Sequence, residues 1–219
     1  MRFYGEILTG KQRKALRLLG PRSLKEGFYL AGGTAIALQL GHRRSVDFDW
    51  FLNGRISDPL LLAREIQTAG VPFATGQIDR GTLYGTVHGV RISFLEYRYG
   101  LLDPLVDWPE FGCRLAGLRD LACMKLSAVA QRGSKKDFVD LYALIREGFS
   151  LQDMLSWYQE KYEISDVGHV LYALAYFDDA EVERMPQLLW KTDWKQIKKT
   201  IQDAILKRTA PPEPPHPPR

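Results

Sequence analysis

Phe28-Tyr29-Leu30-Ala31-Gly32-Gly33-Thr34-Ala35-Ile36-Ala37-Leu38-Gln39-Leu40-Gly41-His42-Arg43-Arg44-Ser45-Val46-Asp47-Phe48-Asp49-Trp50 is the stretch that decides the fold. A short apolar run ends in two glycines, and the residues from Thr34 to Leu40 have helical composition with Gly41 as a stop signal. Glycines at a strand-to-helix junction let the backbone approach a phosphate, and the free N–H groups of the following helix favour an anion. Ser45 to Leu52 predicts a strand in which residues two apart share a face, so Asp47 and Asp49 project together while Val46, Phe48 and Trp50 face the other way. Two adjacent carboxylates repel unless a cation sits between them, and oxygen ligation beside a triphosphate suits Mg²⁺. A lone D-x-D is common on solvated strands, and a lone Gly-Gly is usually a tight turn. Their order and spacing carry the reading.

Working outward, the 219 residues suffice for one large domain or two small ones, and an apolar share of 45% is ordinary for a globular chain. No run of about eighteen apolar residues and no charged-then-apolar leader occurs, so the expectation is a cytoplasmic protein without a membrane span. Cys113 and Cys123 stand among apolar neighbours, without a CxxC or Cys/His cluster, and read as reduced packing residues. A net charge of +4 permits a polyanionic partner without demanding one.

The pattern predicts a helix over about residues 8–20 ended by Pro21, then the Gly-Gly unit and the D-x-D strand. Asp58-Pro59 reads as an N-cap with proline at the first helical position, opening a helix to about Ala69. Phe73–Asp79, Thr82–His88 and Val90–Tyr97 alternate and are separated by glycine-bearing turns, as in an antiparallel meander. A proline-bearing connector, Leu101 to Gly112, leads to helical pattern over Leu118–Gln131, Lys135–Glu147, Leu151–Tyr162, about Val167–Phe177, and Trp194–Lys207. Pro211 to Arg219 is a polyproline tail that fits neither helix nor sheet interior and could serve as a docking segment. The expected fold is α+β: a small mixed sheet with flanking helices over 1–112, a C-terminal helical bundle over 113–209, and a disordered tail over 210–219.

A second cluster lies in the helical half: Lys125, Arg132, Lys135, Lys136, Asp137 and Asp140. Lys125 and Arg132 are seven apart and share a helix face; Asp137 and Asp140 share a face of the next helix. Ser134 is placed to cap that helix, with Asp137 in its first turn. Capping accounts for Asp137 alone, but not for a lysine and an arginine on an otherwise apolar helix, where an unpaired charge would be costly. A link from Lys125 or Arg132 to Asp137 or Asp140 resolves that cost, either as a structural network or as one that also touches triphosphate or metal. Arg43, Arg44 and Ser45 are placed to reach a phosphate or base, or else form a solvated loop. His42 carries little weight as a base, His88 fits a turn, and nothing pairs with His169.

With these residues in view, the chain resembles the AbiEii/AbiGii toxin family of bacterial nucleotidyltransferases. The matching pieces are Gly32-Gly33-Thr34-Ala35, Gly41 through Asp49, Val90-Arg91-Ile92-Ser93-Phe94-Leu95, and Met124-Lys125-Leu126 followed by Arg132 through Leu141. The resemblance implies a DNA-polymerase-β-like nucleotidyltransferase fold with a helical C-terminal domain, and a toxin role beside a separately encoded antitoxin. It further implies transfer of nucleotide from a nucleoside triphosphate to an RNA such as tRNA. Carried over, Asp47 and Asp49 hold Mg²⁺; Gly32, Gly33 and Thr34 cradle phosphates; and Arg43 binds nucleotide, with Arg44, Ser45, Arg132 and Lys136 beside it. Lys125 meets the triphosphate, and Asp137 or Asp140 acts as base or orients Lys125. One departure stands out: Ser93 occupies the place of a third carboxylate, and Glu96, three residues on, falls on the opposite strand face. A nucleotide- or partner-binding protein with degraded catalysis, and transfer to a small molecule, remain open alternatives.

Overall fold

Four consecutive buried residues make Phe28–Ala31 (β1) the strand around which the sheet is built. Covered on both faces, it reads as a continuous apolar run rather than an alternation. The computed structural model describes residues 2–209, so the proline-rich segment 211–219 lies outside the described residues. β1 pairs antiparallel with β2 (Phe48–Leu52) and parallel with β7 (Cys113–Leu115). β2 runs parallel to β5 (Val90–Glu96), which continues antiparallel through β4 (Thr82–Val87) to β3 (Phe73–Asp79). β6 (Val106–Trp108) pairs antiparallel with β7, giving the mixed order β3-β4-β5-β2-β1-β7-β6. The meander forms as expected. At its second turn His88 (φ +53°) and Gly89 (φ +77°) are both left-handed, the pair of conformations a two-residue type I′ hairpin requires.

Several sequence expectations need correction. The first helix, α1 (Gly10–Lys25), runs through Pro21 instead of ending there. Thr9 and Gln12 form a reciprocal capping box at its start, and the proline's lost hydrogen bond is offset by close packing of this turn on the Phe111–Gly112 backbone. The strand expected from Ser45 begins only at Phe48. Val46 is accordingly exposed, whereas Phe48 and Trp50 are completely buried on the face away from Asp49. The connector from Leu101 to Gly112 contains β6, and β7 follows at once, so the sheet continues to Leu115. Three-residue strands flanked by Pro104, Pro109 and Gly112 are too short to show a period.

The helices are α2 (Gly32–Leu40), α3 (Pro59–Thr68), α4 (Leu118–Gln131), α5 (Lys135–Arg146), α6 (Leu151–Tyr162), α7 (Gly168–Ala175), α8 (Asp178–Glu181) and α9 (Trp194–Thr209). The Asp58 carboxylate accepts from the Leu60 and Leu61 N–H groups at 2.9 and 3.0 Å, capping α3 as anticipated. The helix expected to reach Phe177 stops at Ala175, where Tyr176 turns extended. α2 is buried from Thr34 to Leu40, because the sheet lies on one side and α4 and α5 on the other. One apolar cluster, from Ile7 to Ile201, therefore runs through both halves. Asp120 on α4 fastens the connector: it accepts from the Leu102 and Asp103 N–H groups at 3.0 and 3.1 Å and from Lys161 Nζ of α6 at 2.6 Å. No helix among the described residues is long and apolar enough to cross a membrane.

Gly20 tests the α1 packing. A Cβ there would stand 2.0 Å from the Phe111 carbonyl oxygen, whereas at Gly10 it would meet nothing within 4 Å. Gly20→Ala should cost about 1–3 kcal/mol in urea-unfolding free energy and Gly10→Ala should cost nothing.

Candidate active site

The turn from β1 into α2 is glycine for steric reasons visible on both sides of it. Gly32 has φ +67°, and a Cβ on it would lie 2.9 Å from the Asp49 carboxylate; on Gly33 it would lie 2.2 Å from Arg43 Nη2 and 3.2 Å from Asp140 Oδ2. The pair thus clears room for an acid from the sheet and an ion pair from the helical half. Thr34, next along, is buried; its hydroxyl lies 2.7 Å from Ser45 Oγ and donates to the Asp47 carbonyl. Gln12 Nε2 donates to the Ser45 carbonyl at 2.7 Å. The segment carrying Asp47 is therefore irregular in backbone yet pinned from α1 and α2.

Asp47 and Asp49 line one cleft of about 760 Å³ together with Gly32, Gly33, Arg43, Arg44, Ser45, Lys125, Arg132 and Lys136. Thr34, Asp137 and Asp140 are not on its surface. Asp49 sits beside Ser93 of β5 and accepts its hydroxyl hydrogen bond. Burial, then the Asp47 charge, raise the Asp49 carboxyl, and the Ser93 bond only partly opposes them. Asp47 is held by Arg91, a residue of the Val90–Leu95 stretch to which no role attaches from sequence alone. Arg91 Nε donates to Oδ1 at 2.6 Å and Nη2 to Oδ2 at 2.9 Å, with the arginine 72% exposed. Its signal was parity, since Arg91 is two residues from Ser93 and shares its face. Glu96, in opposite phase, pairs with Arg98 at 2.8 Å, away from this cleft.

The facing wall comes from α4 and α5. Lys125, almost completely buried, reaches Asp137 Oδ1 at 2.8 Å and Asp140 Oδ2 at 2.9 Å. Arg132 donates to both oxygens of Asp137, at 2.8 and 3.1 Å. Ser134 was expected to cap the α5 backbone; its hydroxyl instead donates to Asp137 Oδ2 at 3.0 Å. Asp140 receives Arg43 in a two-pronged bond, Nε to Oδ1 at 2.6 Å and Nη2 to Oδ2 at 2.8 Å, and His42 Nε2 lies 2.7 Å from Oδ1. Arg43, placed by sequence at the nucleotide, is thus committed to Asp140, though its edge still lines the cleft. Arg44 leans the other way, donating to the Ile7 carbonyl at 3.0 Å. Lys135 points to the carbonyls of Glu181 and Glu183 at 3.1 and 2.7 Å. Lys136 lines the cleft, exposed and without an ion pair among the described residues.

Electrostatics separates the acids. Burial alone would raise the Asp137 carboxyl, but Lys125 and Arg132 outweigh it and hold it at about 2. At Asp140 burial is likewise opposed, by Arg43 and Lys125, and the carboxyl lies well below the usual range. Burial lowers the His42 imidazole below its ordinary value, against the pull of Asp140. Fully buried, low in basicity and saturated with donors, Asp137 and Asp140 orient cations. They are poor proton acceptors. Burial also raises both thiols, Cys113 and Cys123, to about 12, in keeping with packing residues.

No group of three or more His, Cys, Asp or Glu side chains suited to a metal occurs among the described residues. A hard cation completed by substrate phosphates and water needs only the carboxylate pair. Asp47 and Asp49 fit it, since Asp49 carries the cost of burial and of its neighbour's charge, which a cation would relieve.

This sheet order and two-walled cleft belong to a fold that nucleotidyltransferases share. The sequence model of a family described as nucleotidyl transferase AbiEii toxin, type IV toxin–antitoxin system, matches residues 88–211, more than half of the chain. A relative from Aquifex aeolicus (strain VF5), itself uncharacterized, is 39% identical over 178 residues, 80% of this chain and 86% of that one. The fold is shared with MenT4, a nucleotidyltransferase toxin from Mycobacterium tuberculosis H37Rv (TM-score 0.59, 12% identity, 88% of this chain and 80% of that one). It is also shared with JHP933 from Helicobacter pylori (TM-score 0.53, 18% identity, 89% and 88% covered). The chain belongs to the AbiEii nucleotidyltransferase toxin family. Lys125, Arg132, Lys136, Asp137 and Asp140 fall within the matched span; the glycine pair and Asp47 and Asp49 precede it.

Two measurements check the site. Asp137 titrates near 2 when folded and near 4 when unfolded, so the unfolded chain takes up the proton first and stability falls as pH drops through that window. Asp137→Asn should flatten the pH 4-to-2 loss by about 2 kcal/mol in urea titrations. Removing Arg91 leaves Asp47 free to ligate, so Arg91→Gln should bind Mn²⁺ up to about fivefold more tightly by electron paramagnetic resonance, the worth of an exposed ion pair.

Proposed function

We propose that this protein transfers a nucleoside monophosphate from a nucleoside triphosphate to a hydroxyl of an RNA, with tRNA the leading acceptor, and that it serves in the cytoplasm as the toxin partner of a separate antitoxin. The observation that carries the chemical part is the opposition, across one cleft, of Asp47 and Asp49 to Lys125, Arg132 and Lys136. The family description and the excess of basic residues support the toxin role and the RNA acceptor. In this reading residues 1–112 form the nucleotidyltransferase unit and 113–209 the helical one, with β7 lent across the boundary.

Asp47 and Asp49 hold Mg²⁺, which when bound supplies Lewis-acid polarisation of the α-phosphate and charge neutralisation of the leaving pyrophosphate. Gly32 and Gly33 let the phosphates approach the start of α2. Lys125 presents its ammonium from a fixed position, because Asp137 and Asp140 leave it one orientation. Arg132 and Lys136, more exposed, neutralise the outer phosphates as the substrate enters. Asp137 and Asp140 do not take the acceptor's proton, since both lack access to the cleft and basicity.

Labelled-nucleotide transfer to total RNA tests this directly. Asp47→Asn and Asp49→Asn should each lose about 10²- to 10³-fold in rate with little change in melting temperature. Labelling by both variants at the parent's rate would show the assignment to be wrong. Ser93, in place of a third carboxylate, favours a second reading, nucleotide binding with degraded turnover. Calorimetric binding of triphosphates without transfer to any RNA or small acceptor would select it.

A further inference from the structure

The cleft changes character along its length. Leading into β2 and along it the residues facing the cleft run Asp47, Asp49, Phe51, and on the parallel neighbour β5 they run Arg91, Ser93, Leu95, with Tyr97 next in phase. Asp49 lies beside Ser93 and Phe51 beside Leu95, so both strands pass from charged to apolar at one level. α4 and its C-terminal cap repeat the gradient opposite: Arg132 at the cap and Ala128 and Met124 on the helix, spaced by four, all line the cleft. Tyr162 of α6 closes the apolar end, its hydroxyl 2.8 Å from that of Tyr97. Phe51 and Tyr97 meet edge-on at 5.5 Å between ring centres, and Tyr99 bridges Tyr97 and Tyr162 at 5.4 and 4.6 Å. Phe51, Leu95, Tyr97, Met124 and Tyr162 are all only partly buried, while Trp50 and Phe94 on the other face of the same strands are sealed in the core. Phosphate and metal chemistry makes no use of this open apolar surface.

We propose that Phe51, Leu95, Tyr97, Met124 and Tyr162 form a nucleobase subsite, which receives the base of the triphosphate whose phosphates lie between Asp49 and Lys125. The inference rests on the reading of the charged end as a triphosphate site. A strand rise of about 3.3 Å per residue sets Phe51 about 7 Å beyond Asp49, the span a ribose bridges between α-phosphate and base. Aromatic faces and a thioether stack on any base. The paired hydroxyls add an edge contact: one donates to the other, and the accepting hydroxyl keeps its own proton for a ring nitrogen or carbonyl of the base.

The test is calorimetry of the full chain in Mg²⁺ with ATP, GTP, CTP, UTP and inorganic tripolyphosphate. At least one nucleotide should bind about tenfold or more tightly than tripolyphosphate, which lacks a base to stack. Phe51→Leu and Tyr162→Leu should each weaken that nucleotide roughly 5- to 100-fold and leave tripolyphosphate affinity unchanged, which also certifies a folded cleft. Tyr162→Phe, retaining the ring, should keep the affinity within about threefold and alter the ranking of the four nucleotides. Equal affinity of the parent for tripolyphosphate and all four nucleotides, or variants that weaken both ligands alike, overturns the subsite while the triphosphate site stands. Variants that keep nucleotide affinity but lose RNA labelling would assign these residues to the acceptor and also overturn it. Failure of the parent to bind tripolyphosphate at all removes the underlying reading, and the subsite with it.

Discussion

Asp140 is the constraint on which the rest depends. A carboxylate completely removed from water is tolerable only when its charge is answered, and two segments of the chain supply the answer: Arg43 from the loop after α2, with His42 as a hydrogen-bond partner beside it, and Lys125 from α4. Meeting that demand fixes the distance between the sheet and the helical half. It also fixes the rotamer of Lys125, which Asp137 shares. The cleft is the space left over once this buried network has closed behind it.

Seen from there, the glycine pair has a more specific part than approach to phosphate. Gly33 is the point at which the Arg43–Asp140 bond passes the start of α2, and Gly32 is where Asp49 passes it. Any side chain would push one of these acids out of place. Two structural demands and one chemical one thus converge on adjacent backbone positions. Charge is arranged in depth as well: the interior acids are saturated by fixed cations, while Asp47 in the cleft is met by a single exposed arginine. The interior pairs resist change and the surface pair exchanges readily.

Much of this was legible in the sequence because it follows short-range rules. The apolar run before Gly32, the parity of Asp47 and Asp49, the Asp58-Pro59 cap and the long helices of the C-terminal half all announce themselves through spacing. Even the Lys125–Asp137–Asp140 link could be inferred, since a lone lysine on an apolar helix needs a partner. What stayed hidden depends on contacts far apart in the chain. The commitment of Arg43 to Asp140 spans nearly a hundred positions, and α1 survives Pro21 only through packing on Phe111 and Gly112. β7 is a strand because β1 offers it an edge, and three residues carry no period of their own. Arg91 was missed for a different reason: an exposed arginine on a strand looks like solvation until a carboxylate is known to face it.

The loop holding His42 and Arg43 is latched by residues near the other end of the chain, through the Gln187–Arg44 and Leu189–His42 backbone bonds and the Arg43–Leu188 bridge. That latch sets a schedule for biosynthesis. A ribosome adding about 5–20 residues per second takes roughly 7–30 s to go from Asp49 to Trp190. Throughout that interval the nascent chain carries its acidic pair but neither the latch nor, at first, the cationic wall. Until residues 187–190 have been made, the loop that carries His42 and Arg43 lacks these backbone partners, and that side of the cleft is held by side-chain contacts alone.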